Sequence, residues 1–234
     1  ISEGISGFAN SAIWLIVGAF LFSRGFIKTG LGKRIAYNLI SAFGSSSLRL
    51  AYALALSDLI LAPATPSNTA RVGGVIMPIT TSLAKAFGSE PQDGPRKIGS
   101  FLMQSIYQVN TITSAMFQTS MAGNTLVAAL ALQSFGIGIT WGDWAMAAIV
   151  PGIIALLIMP YFIYKVYPPE IRDAREAQQM IREELKGLGK MSFQEWVMLG
   201  VFILALALWA TSQFTKIDAT TVAFLGISIL LTTG

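Results

Sequence analysis

The sequence predicts an all-α fold: a polytopic membrane protein with one re-entrant helical hairpin and one broken transmembrane helix. Three observations lead there. First, 53% of the 234 residues are hydrophobic and 12% are charged, with a mean hydropathy of +0.62; soluble domains carry roughly 25% charged residues. Second, the stretch Ala62-Pro-Ala-Thr-Pro-Ser-Asn-Thr-Ala-Arg-Val-Gly-Gly74 separates two apolar segments, residues 50–61 and 75–87. Pro63 and Pro66 lack a backbone donor and stop a helix. Irregular polar backbone at membrane depth is tolerated only inside protein or beside a watery cavity. Third, residues 98–138 contain no charged residue. A continuous helix of that length would measure about 60 Å, twice the ~30 Å hydrocarbon core, so it must break.

Residues 1–44 hold a spanning helix over 8–26 and an interfacial helix over 31–43. The apolar positions Leu31, Ile35, Leu39, Ile40 and Phe43 against Lys33, Arg34 and Asn38 give the second helix its amphipathic character. Residues 45–140 form a central region with the hairpin over 48–87 and the broken helix over 98–138. The first limb, 48–61, is only about 21 Å long, enough to reach the middle of the bilayer and turn. Arg49 marks its start, and Lys85, Arg96 and Lys97 mark the end of the returning limb, so both ends read as cytoplasmic. Two full helices with a loop are the alternative. In the broken helix, Gln118-Thr-Ser-Met-Ala-Gly-Asn-Thr125 names the interruption. Residues 141–190 supply a spanning helix and a charged cytoplasmic helix over 168–190; Trp141 and Trp144 read as external interfacial anchors. Residues 191–234 supply a span over 196–213, a short loop with Lys216 and Asp218, and the start of another span. The chain begins at Ile1 and stops at Gly234 within an apolar run, and reads as a fragment of a longer protein.

Cysteine and histidine are both absent from the sequence. That excludes disulfides, thiolate nucleophiles and imidazole chemistry within these residues, and no acid–base pair points to an enzyme. The formal charge of +4 gathers at segment ends, as membrane topology requires, so it signals no nucleic-acid partner.

Two helix breaks near mid-membrane are the sequence pattern of a secondary-transporter site. A half-helix beginning near Asn68 directs free N–H groups and a partial positive charge into the cavity, which suits a carboxylate. Unwound carbonyls and the oxygens of Ser67, Asn68 and Thr69 suit a hard cation such as Na⁺. The alternatives are a plain N-cap for Ser67–Thr69 and interhelical glue for Asn124. Arg71 either contacts substrate or fixes the hairpin. Asp58 reads as a partner of Arg49, Arg71 or a hydroxyl, or as a titratable group.

Pro66-Ser-Asn-Thr-Ala-Arg71 followed by Gly73-Gly74 resembles the Ser-Asn-Thr signature of the divalent anion:sodium symporter family. Thr113-Ser-Ala-Met-Phe, with Thr119 and Met121-Ala-Gly-Asn124, is similar to that family's broken-helix motif. The resemblance is greatest to the branch of bacterial citrate/succinate and tartrate/succinate antiporters and the plastid 2-oxoglutarate/malate translocator. It implies one half of an inverted-repeat transporter, with 45–140 as its transport region and 191–234 as the start of the second repeat. The implied protein is a multi-pass carrier of the bacterial inner membrane, a homodimer that moves C4–C6 carboxylate anions by an elevator mechanism. Ser67, Asn68, Thr69, Thr119, Ser120 and Asn124 would meet substrate. Pro63, Ser67, Asn68 and Ser120 would hold Na⁺ if transport is sodium-coupled, with Thr65 and Arg71 auxiliary; no other metal and no organic cofactor is implied. Sodium-coupled members are richer in glycine than Thr119–Gly123 is, which favours exchange. Na⁺-coupled symport is the alternative, followed by a Na⁺/H⁺ or oxyanion transporter using Asp58 and by a passive anion channel.

Overall fold

The computed structural model describes Phe8 and residues 10–233, and nearly all of these are helical. Helix α1 (Ser11–Thr29) starts under Asn10, whose side chain accepts the Ala12 N–H at 2.9 Å. It stops at Gly30, whose φ of +78° is open to glycine. That turn leads directly into α2 (Leu31–Phe43).

Helix α3 (Ser47–Leu61) ends in a tight 3₁₀ turn, Ala62–Ala64, where Pro63 removes a donor. The chain then returns through α4 (Asn68–Arg71), a π-helical stretch Val72–Ile76 and α5 (Met77–Ala86) as one unbroken helical path. The π turn contains Gly73 and Gly74. A Cβ on Gly74 would lie 3.0 Å from Ile27 Cδ1, so its missing side chain lets this limb lie close against α1.

Helix α6 (Gly99–Met116) is followed by a 3₁₀ turn, Gln118–Ser120, and by α7 (Ala122–Phe135). The expected interruption therefore falls at 117–121. Helix α8 (Trp141–Val166) begins with a capping box in which Thr140 and Asp143 satisfy each other's backbone N–H. This box draws Trp141 into the first turn of the helix. Helix α9 (Arg175–Gly187) is shorter than predicted, because Pro168 and Pro169 hold the preceding chain extended. Helices α10 (Phe193–Ala210), α11 (Ser212–Thr215) and α12 (Ala219–Thr233) complete the described chain.

Among the described residues, four helical segments are long and apolar enough to cross a membrane: Ser11–Thr29, Ser47–Ala64, Trp141–Val166 and Phe193–Ala210. Ile149, Val150, Ile154, Leu157 and Ile158 leave α8 with an exposed apolar surface suited to lipid. Helix α6 packs antiparallel on α8, α3 packs on α2 and α6, and α1 packs on α12. Tight contacts hold these pairs: a Cβ on Gly152 of α8 would meet Met116 Cγ of α6 at 2.6 Å, and one on Gly18 of α1 would meet Ala223 Cβ of α12 at 3.2 Å. Close packing of this kind matters because lipid gives helices no hydrophobic drive to associate.

One end of the molecule gathers the ends of many segments. Ser47 N–H donates to Arg172 O at 3.0 Å, and Ala174 N–H to Ser45 O at 3.2 Å. From the same extended stretch, Glu170 N–H donates to Arg96 O at 3.1 Å and Ile171 N–H to Lys97 O at 2.9 Å. The start of α3 and the chain just before α6 are therefore fastened side by side to residues 170–174. Beside them, Arg34 binds Glu195 (Nε to Oε1 2.6 Å, Nη2 to Oε2 3.1 Å) and the Gly189 carbonyl at 2.9 Å. Every Lys and Arg apart from Arg71 and Lys216 belongs to this end, which the positive-inside rule assigns to the cytoplasm.

Candidate functional site

The two interruptions lie against one another and satisfy each other's unpaired backbone groups. A helix terminus leaves N–H or C=O groups without intrahelical partners. The Ala122 N–H, at the first residue of α7, donates to Pro66 O at 2.9 Å. The Thr119 hydroxyl donates to Pro63 O at 2.6 Å. At the end of α6, the Asn124 side-chain amide donates to Ser114 O at 2.7 Å and Phe117 O at 2.9 Å. The Ser120 hydroxyl reaches the same two carbonyls at 2.7 Å each. Sequence-local breaks thus become one joint.

At the hairpin tip, Ser67 caps α4 by accepting the Ala70 N–H at 3.2 Å. Asn68 Oδ1 accepts the Thr69 N–H at 2.8 Å and the Thr69 hydroxyl at 3.4 Å. Ser67 and Asn68 are half-buried and Thr69 is exposed, so these three present polar groups at an open surface. Pro63, Thr65, Thr119, Ser120 and Asn124 are buried behind them. The predicted site residues therefore form two layers, an accessible Ser67–Thr69 and a buried set that braces it. The hydroxyls of Thr119 and Ser120 are engaged with protein carbonyls.

Arg71 lies at the centre of the bracing layer, with a side chain fully shielded from solvent. Its Nε donates to Asp58 Oδ1 at 2.8 Å. Nη1 donates to Thr65 O at 3.0 Å and Ser120 O at 3.3 Å. Nη2 donates to Thr113 Oγ1 at 3.2 Å and Ser114 Oγ at 3.0 Å. Asp58 Oδ2 accepts in turn from the Thr113 hydroxyl and, at 3.3 Å, from Asn110 Nδ2. A buried ion pair leaves its surroundings stable only when its remaining donors and acceptors are satisfied, and this network satisfies them.

Trp141 differs from its expected role as a membrane anchor. It is buried, stacked between Phe117 at 5.6 Å and Trp209 at 6.1 Å. Its indole N–H donates to Thr119 Oγ1 at 2.9 Å. Trp144 N–H donates to Ala115 O at 2.9 Å. Sequence reasoning missed Trp141 because a Trp-Gly-Asp-Trp turn looks alike whether it meets lipid headgroups or a neighbouring helix. The Thr140–Asp143 capping spacing was the available signal that Trp141 starts a helix. Gln118 and Thr125, beside the break, border a cavity of about 670 Å³ at the end opposite the basic cluster. A larger one of about 920 Å³ opens at the basic end between α5, α6 and α8, lined by Lys85, Gln104 and Gln108.

Interrupted membrane helices whose broken ends meet in a polar joint place the chain in the class of polytopic α-helical membrane proteins built on discontinuous helices. The family model described as the sodium:sulfate symporter transmembrane region matches residues 1–234, and the chain belongs to this family. The resemblance to divalent anion:sodium symporters holds at that level. The chain is 53% identical over 232 residues to YflS of Bacillus subtilis (strain 168), whose name refers to malate transport, a match covering 99% of this chain and 48% of YflS. It is 46% identical over 234 residues to dicarboxylate transporter 1, chloroplastic, of Spinacia oleracea (100% of this chain, 41% of the relative). It is 38% identical over 229 residues to the citrate/succinate antiporter of Escherichia coli (strain K12), covering 97% of this chain and 47% of the antiporter. The chain spans 41–48% of the length of these relatives.

Proposed function

We propose that this chain forms one half of a secondary active transporter of di- and tricarboxylates, C4–C6 anions such as succinate, malate, citrate and 2-oxoglutarate. The observation that carries the reading is the joint between Pro66 and Ala122, which presents the half-exposed Ser67–Asn68–Thr69 edge over a buried polar base. Neutral amides and hydroxyls at a helix start recognise a carboxylate without fixing a second charge. Relatives named for malate, dicarboxylates and citrate/succinate support the substrate class.

Substrate binds at Ser67, Asn68 and Thr69, with Thr119, Ser120 and Asn124 completing or bracing the site. The hairpin over 48–87 is re-entrant, and the region 45–140 moves across the bilayer relative to a fixed scaffold, with the helices over 31–43 and 168–190 forming part of the joints to it. Residues 191–234 begin a second, inverted repeat, and the working unit is a homodimer. Exchange is the mode. Na⁺-coupled symport, with the cation at Pro63, Ser67, Asn68 and Ser120, is the second reading, favoured by the sodium symporter description of the family. Counterflow of labelled succinate into proteoliposomes of the full-length protein, with and without Na⁺ and with citrate, malate and 2-oxoglutarate as competitors, tests both. Saturable, trans-substrate-dependent uptake without Na⁺ is expected. Uptake that needs Na⁺ and no internal substrate would replace exchange by symport, and no carboxylate uptake at all would overturn the reading.

A further inference from the structure

We propose that Arg71 is a positioning residue: through Asp58 it fixes the hairpin tip in register with the helix break, and it offers the substrate no charge. The proposal rests on the carboxylate reading above. A guanidinium has five N–H donors in a rigid fork. In this structure each has a protein acceptor: Asp58 on α3, Thr65 at the tip, Ser120 at the break, and Thr113 and Ser114 on α6. One side chain thus touches every piece that shapes the site. The Arg71 backbone N–H donates to Ser67 O at 2.9 Å, so anchoring Arg71 also anchors the turn that carries Asn68 and Thr69.

A carboxylate could reach this guanidinium only by displacing one of those acceptors, because the side chain has no solvent-exposed surface. Asp58 balances its charge at 2.8 Å. The substrate therefore meets the neutral tip, whose shape depends on a charge pair behind it. Ser114 and Phe117 carbonyls, held by Asn124 and Ser120, lie in the same layer, so disturbance of the pair spreads to the break.

Asp58→Asn separates positioning from charge donation by the sign of its effect. It removes a negative charge and leaves the cation, so a substrate-contacting Arg71 would bind a dianion more tightly. Positioning predicts the reverse: half-saturation for succinate counterflow rises about tenfold or more, the scale on which small misplacements act. Arg71→Lys keeps the charge but has too few donors to span the network, and shows a rise in the same direction. Ser114→Ala, a milder change that removes one acceptor, shows a smaller rise and guards against misfolding of the other two. Each rise is equal for mono- and dicarboxylate competitors. A fall, or no change, in half-saturation for folded Asp58→Asn, with wild-type exchange intact, overturns the proposal alone. Absence of wild-type exchange overturns the carboxylate reading instead.

Discussion

The backbone N–H of Ala122 donates to the carbonyl of Pro66 at 2.9 Å. Each group is orphaned by the break in its own helix, and each is satisfied by the other. Discontinuous helices therefore cost little here, because the two breaks are complementary. The accessible polar edge, Ser67–Thr69, inherits its position from this joint.

Asn68→Ala is expected to abolish carboxylate exchange in proteoliposomes while the thermal midpoint of the purified protein changes little. The Asn68 side chain bonds only to the adjacent Thr69, so its loss costs the fold no more than about 0.5–1.5 kcal/mol. Exchange at the wild-type rate by this variant would remove Asn68 from the site.

Asn124→Asp is expected to destabilise the protein by about 1–3 kcal/mol. The substitution replaces an amide donor by an acceptor facing the Ser114 and Phe117 carbonyls. A thermal midpoint equal to the wild type would show that those carbonyls find another donor.

Trp141→Phe keeps an aromatic ring between Phe117 and Trp209 but removes the N–H that binds Thr119. A loss of about 1 kcal/mol is expected from the missing hydrogen bond. Trp141→Ala, which also empties the stack, is expected to cost about 3–5 kcal/mol. Denaturant midpoints of the two variants in detergent check the order; equal losses would place all of the contribution in the hydrogen bond.

Arg34→Ala leaves the Glu195 carboxylate buried with half its partners gone and is expected to cost about 3–5 kcal/mol. Arg34→Lys recovers only part of this, because a lysine cannot bridge Glu195 and the Gly189 carbonyl together. Midpoints from thermal unfolding decide it, and full recovery by lysine would contradict the bidentate geometry.

The sequence has no cysteine, so single-cysteine variants report topology against a blank background. Arg49→Cys and Glu90→Cys are expected to label from the cytoplasmic side, and Ile137→Cys from the opposite side. Labelling of Arg49→Cys and Glu90→Cys from opposite sides would make the 48–87 hairpin a full crossing.

The sequence by itself determined the membrane class, the helical fold and the places where helices must stop. These are local or compositional properties: proline removes a donor wherever it stands, and a charge-free run has one length whatever packs on it. The Ser-Asn-Thr and Met-Ala-Gly-Asn motifs were legible for the same reason. Tertiary structure decided the rest, because partner choice depends on groups distant in sequence. Arg71 had open alternatives until Asp58, Thr113, Ser114 and Ser120 converged on its guanidinium. Trp141 looked like a lipid anchor until Trp209 and Phe117 enclosed it. The π turn at Val72–Ile76, where Gly74 packs against Ile27 of α1, left no mark in propensity. Which breaks face each other, and which polar groups remain free to meet a ligand, is set by packing between segments and by no single segment.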